Sequence, residues 1–132
     1  MQFSSLVLME RDKETNQFVR ELGSYETGEG AEFVTKLYYD GQLINLFFDT
    51  QVDVEEWEFT AIYDYFDEEI FTSKGYSIEA VDDEYNPTWV IKFKYSEEHM
   101  VVREAIIEIC ELIKQEINKV LVKIKEKEEE YK

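Results

Sequence analysis

Cysteine, proline and histidine are nearly missing from this chain. Its 132 residues hold one Cys, one Pro and one His, with only 5 Gly. A single thiol closes no internal disulfide, so the sequence is not a disulfide-stapled secreted scaffold. So little Pro and Gly excludes collagen-like and low-complexity classes. Positive charge is scarce as well: 14 Lys and Arg stand against 31 Asp and Glu, a formal charge of −17. Nucleic-acid phosphates are bound by Lys and Arg that displace counterions, and anionic membrane surfaces attract the same residues. The expectation is therefore no direct nucleic-acid binding and no membrane association. No apolar run approaches the ~20 residues that a membrane span requires. At the start, Met1-Gln2-Phe3-Ser4-Ser5 carries no basic segment and Leu6-Val7-Leu8-Met9 is too short for a signal core. These features point to a cytoplasmic protein.

What is abundant is aromatic and acidic. Hydrophobic residues make up 44% and aromatics 15%, with 9 Phe, 9 Tyr and 2 Trp. Such a chain has the apolar surface to offset its ordering entropy, and its length suits one domain over 1–132. The acid is concentrated upstream: residues 1–96 hold 21 acidic and 7 basic residues, residues 97–132 hold 10 and 7. Between Asp49 and Glu69 lie nine acidic residues and no basic one.

The first half alternates in the manner of strands. Gln2–Glu10 and Gln17–Glu26 flank the polar loop 11–16, and Thr27-Gly28-Glu29-Gly30 forms the next turn. Glu32–Tyr39 and Gln42–Asp49 are joined by Asp40-Gly41, the signal of a hairpin with a type I′ turn. Four such strands in succession suggest a meander. From Asp53 the period changes. Asp53 is placed to cap a helix, Glu56 to complete a capping box, and Val54, Trp57, Ala61, Ile62, Tyr65, Phe66 and Ile70 to form its apolar face. Trp57, Phe59, Ala61, Tyr63 and Tyr65 also alternate as a strand would, but length and cap favour the helix. Gly75 follows as its stop. Two strands come next, Tyr76–Asp82 and Thr88–Tyr95, with Asp83–Pro87 as their turn.

Ser96 then opens a long helix. Ile106, Cys110, Ile113, Ile117, Val120 and Ile124 repeat at heptad-like spacing on it. From Glu97 to Glu130 it would run ~50 Å at 1.5 Å per residue, longer than the ~36 Å body expected of a chain this size. Two outcomes follow: the charged end 125–132 frays, or the helix projects and pairs through Ile113, Ile117, Val120 and Ile124 into a homodimer.

Few residues offer chemistry. His99 is alone, and any nucleophile–base arrangement would hang on it; near a helix start it reads as a solvated or partly packed residue. Cys110, inside the apolar stripe, behaves as a small hydrophobe. Gly23, Gly28 and Gly30 precede no Gly-Lys-Ser/Thr and form no phosphate loop. Asp49, Asp53, Glu55 and Glu56 could collect a hard cation, but their spacing matches no EF-hand loop. No cofactor and no metal is expected. What remains is the acidic–aromatic segment, where Glu55, Glu56, Glu58, Phe59, Tyr63 and Asp67 either form a solubilising helix face or combine charge with aromatic surface as interfaces do.

The sequence thus describes an α+β domain: a two-layer sandwich with a six-stranded, mostly antiparallel sheet in the order ββββ-α-ββ-α and a long C-terminal helix. Its sheet face of Phe33, Leu37, Ile44, Leu46, Phe48, Ile78, Trp89, Ile91 and Phe93 should meet Trp57, Ile62, Phe66, Ile106, Ile109 and Ile113. The expected function is a non-enzymatic protein–protein interaction module that uses its acidic helix surface, its long helix or both, a basic protein being one kind of partner that such a surface would suit. The alternatives are an acidic inhibitor or nucleic-acid mimic that occupies a basic protein, and a small carboxylate- or metal-dependent enzyme.

Overall fold

Alternating side chains give each strand one face that seeks a core, and the helical stripes must cover it. The computed structural model describes residues 4–132. Six strands form one sheet: β1 Ser4–Arg11, β2 Phe18–Thr27, β3 Val34–Tyr39, β4 Ile44–Asp49, β5 Ser77–Val81 and β6 Thr88–Phe93. Helices α1 (Glu56–Tyr65), α2 (Glu69–Thr72), α3 (His99–Ile124) and α4 (Glu128–Tyr131) complete the chain. The first residues of the expected opening strand, Gln2 and Phe3, lie outside the described residues.

The α+β sandwich with its long C-terminal helix is present, and the sheet is mixed. Its order is β2-β1-β3-β4-β6-β5. The expected meander is overturned, because β3 lies beside β1 rather than β2 and runs parallel to it, Met9 opposite Tyr38 and Glu10 opposite Tyr39. The reason is the connection after β2. Gly30 at φ 97 opens a short 3-10 turn, Ala31–Phe33, under α3. A Cβ on Gly30 would sit 2.0 Å from the Cys110 carbonyl oxygen. This approach draws the chain under α3 and across β1 before β3 begins.

The Asp40-Gly41 hairpin is also present, with positive φ at Gly41 alone of its two central residues. A type I′ turn would need positive φ at both. The Asp40 carboxylate holds the turn, accepting the Gln42 and Leu43 N–H groups, each at 2.9 Å.

The core lies between sheet and helices. Leu8, Ile44, Leu46, Phe48 and Ile91 are fully buried, as are Ile106, Ile109 and Ile113 from α3. Phe33, Leu37, Trp57 and Ile78, expected in the core, are packed against it but partly exposed. Around Trp89 the aromatics stack, with Phe66 at 4.1 Å and Phe48 at 5.3 Å between ring centroids.

The helix-pairing stripe has a different use from the one expected. Ile113, Ile117, Val120 and Ile124 are at most 2% exposed within the single chain, so the stripe is covered by the chain's own core. The long helix is also shorter than 97–130. It ends at Ile124, and α4 folds onto α1: the Tyr131 hydroxyl donates to Asp64 at 2.7 Å and its ring lies 6.4 Å from that of Trp57. The charged end docks through these aromatic and ionic contacts instead of continuing the helix outward.

Candidate functional site

The acidic–aromatic segment is built differently from a single amphipathic helix. Its N-cap is Glu55, not Asp53, and the capping pair is Glu55 with Glu58, whose carboxylate accepts the Glu55 N–H at 2.9 Å. Trp57 decides this register, because its indole N–H donates to Glu55 at 2.7 Å. The helix then stops at Phe66, whose ψ of 126 is extended, and α2 begins three residues later.

The break has a cause in α3 that the sequence pattern hid. Glu116 is only 3% exposed, on a helix stripe that reads as apolar. Its carboxylate accepts the Asp67 N–H at 2.9 Å, satisfying a backbone donor that the end of α1 releases. Burial raises the Glu116 pKa, while that hydrogen bond and the charges of Lys119 and Lys123 pull it back.

Tyr63 is held as firmly. Its hydroxyl accepts the Thr88 N–H at 2.9 Å and reaches the Thr88 carbonyl at 3.2 Å, so the ring bridges α1 to β6. Phe59 packs edge-on against Tyr63 at 5.2 Å. The six residues singled out from the sequence therefore divide. Tyr63 and Asp67 line one groove, Glu55 and Glu56 line another about 670 Å³ in volume with Trp57, Thr60, Tyr131 and Lys132, and Glu58 and Phe59 line neither.

The first groove, about 560 Å³, collects carboxylates from separate parts of the chain. Asp67, Glu68 and Glu69 come from the turn between α1 and α2, Asp82 from just beyond β5, and Tyr63, Phe66 and Ala80 form its floor. Asp82 was not identifiable as a partner of this segment, because only the fold of β5 beside α2 brings it there. In the second groove, Lys132 approaches Glu55 at 4.0 Å and Glu128 at 2.6 Å, so part of the acid there is already neutralised.

The isolated chemistry-bearing residues have structural surroundings. His99 begins α3, exposed, with its ring stacked on Tyr25 at 4.6 Å. Cys110 is fully buried, and burial pushes its thiol pKa up to about 12. Asp49, Asp53, Glu55 and Glu56 do not converge: among the described residues no three His, Cys, Asp or Glu side chains could hold a metal ion together. Among the same residues no helix is long and apolar enough to cross a membrane.

No curated protein and no solved structure matches the chain. A family model matches all of residues 1–132, and by that match the chain belongs to the family of unknown function DUF6762.

Proposed function

We propose that this protein is a non-enzymatic interaction module of the cytoplasm that receives a basic protein segment on its acidic helical face. The observation that carries this reading is the groove where Asp67, Glu68, Glu69 and Asp82 rim the aromatic floor of Tyr63 and Phe66, with no Lys or Arg in its lining. A Lys or Arg side chain has an apolar stem and a cationic head, which match that floor and rim. Aromatic rings so placed add cation–π attraction, and the surrounding charge steers the encounter. Glu55, Glu56 and Glu58 at the start of α1 add further acid outside this groove, part of it offset by Lys132. Helix pairing has no part in the reading, because Ile113, Ile117, Val120 and Ile124 are core residues.

The test is capture from nuclease-treated lysate by the tagged chain and by a variant carrying Asp67→Asn, Glu68→Gln, Glu69→Gln and Asp82→Asn. A basic protein should be held at low salt, released as salt screens exposed charge beyond ~8 Å at 0.15 M, and missed by the variant. Equal retention by a variant with an unchanged circular dichroism spectrum overturns the assignment to this groove.

A further inference from the structure

On the sheet face away from the helices, a small pocket reverses the sign of the chain's charge. It has a volume of about 210 Å³ and is lined by Arg11, Lys13, Asn16, Tyr38, Asp40, Asn45 and Lys92. Strand register builds it: Tyr38 lies opposite Asn45, and Asn45 opposite Lys92, so the three side chains form one row across β3, β4 and β6. Arg11 and Lys13 arrive from the end of β1 and the turn after it.

Two cations of this pocket donate to neutral groups, in a chain with 31 carboxylates to offer, and the Lys13 charge also helps hold the Asp40 carboxyl below its usual range. Arg11 donates through Nε to the Asn16 carbonyl at 3.2 Å, and its guanidinium lies over the Tyr38 ring at 4.8 Å. Lys13 donates to the Gln42 side-chain carbonyl at 3.1 Å. The one carboxylate in the lining, Asp40, is occupied by the N–H groups of Gln42 and Leu43 and by the Asn45 amide. Among the described residues, the ion pairs within 4.0 Å involve Arg20, Lys114, Lys127 and Lys132, and none of the pocket's three cations.

We propose that this pocket binds a phosphate group. Three cations less the Asp40 charge leave two positive charges, which match the roughly −1.5 to −2 of a phosphate monoester at neutral pH. With Nε on the Asn16 carbonyl, the terminal Nη groups of Arg11 are left to donate to phosphate oxygens, and the lysines supply point charges beside it. The volume is below the ~300–1,000 Å³ of sites for drug-sized ligands, which suits a phosphate group more than a whole cofactor. The chain's net charge of −17 does not forbid this, because distant charge is screened beyond ~8–10 Å at 0.1–0.15 M salt while contact groups act unscreened.

The test is a titration of the isotope-labelled protein with inorganic phosphate, and separately with phenyl phosphate, in ~0.1 M sodium chloride, where screening already reaches ~10 Å. Saturable amide shifts should map to Arg11, Asn16, Tyr38, Asn45 and Lys92 with a Kd near ~1 mM, and Lys92→Gln or Lys13→Gln should weaken binding about tenfold. Tighter binding of phenyl phosphate supports a phosphorylated ligand, and equal binding supports free phosphate. Shifts that do not saturate, that map elsewhere, or that persist undiminished in both lysine variants overturn the proposal. Lys13 is exposed and Lys92 half-buried, and the wild-type map stands even if a variant misfolds.

Discussion

Gly30 and Gly41 share a left-handed backbone, at φ 97 and φ 94, but not a neighbourhood. Alanine at Gly41 meets nothing within 4 Å, so it should cost only the conformational ~1–2 kcal/mol. Alanine at Gly30 drives a Cβ into the Cys110 carbonyl and should cost clearly more, or abolish folding. Urea midpoints of the two variants check this, and equal losses would refute the close approach. Glu116 makes a pH prediction. Its folded pKa is raised, chiefly by burial, so its protonated form is the one the fold favours. The stability it contributes is present below the ordinary carboxylate range and lost as pH rises through the raised folded value. Glu116→Gln keeps an acceptor for the Asp67 N–H without the charge. It should stabilise the protein at neutral pH, with the gain shrinking toward pH 4; a pH-independent difference would count against it.

Among the elements, α1 and α4 depend most on contacts made after the chain has folded. Tyr63→Phe leaves the buried Thr88 N–H without its acceptor and should cost about 1–3 kcal/mol. Chemical denaturation measures this directly. Tyr131→Ala removes the hydroxyl bond to Asp64 and the ring beside Trp57. It should release α4 while the sheet and α3 stay folded, seen as altered Trp fluorescence and faster proteolysis after Lys125 or Lys127. Unchanged proteolysis would mean that the Tyr65–Glu130 hydrogen bond and the Lys132–Glu55 pair suffice to hold the segment.

For the molecule as a whole, the buried stripe and the excess charge set two expectations. With Ile117 at 1% exposure, Ile117→Ala should cost roughly 2–5 kcal/mol through the cavity it leaves, with no change in a monomeric mass of 15.8 kDa by sedimentation. A dimer that this substitution dissociates would return the stripe to a pairing role. A charge of −17 repels itself in the compact state, so the melting temperature should rise as sodium chloride is added at neutral pH.

Periodicity alone was enough for the six strands, the two main helices, the two-layer class and most of the core, because alternation and helical spacing are local and burial follows from them, but not for the short α2 and α4. Ile44, Leu46, Phe48, Trp89 and Ile91 face the helices as their spacing requires. Strand order, helix ends and the groupings of functional side chains were not legible. The parallel β1–β3 pair rests on Gly30 passing under Cys110, the end of α1 on Glu116 from α3, and the docking of α4 on Tyr131 reaching Asp64. Each joins residues far apart in the chain, and only the folded arrangement makes them neighbours. The same holds for both sites. Asp82 shares a groove with Asp67 because β5 packs beside α2, and Lys92 shares a pocket with Arg11 because the sheet order brings β1 and β6 near β3 and β4; no local pattern of residues encodes either arrangement.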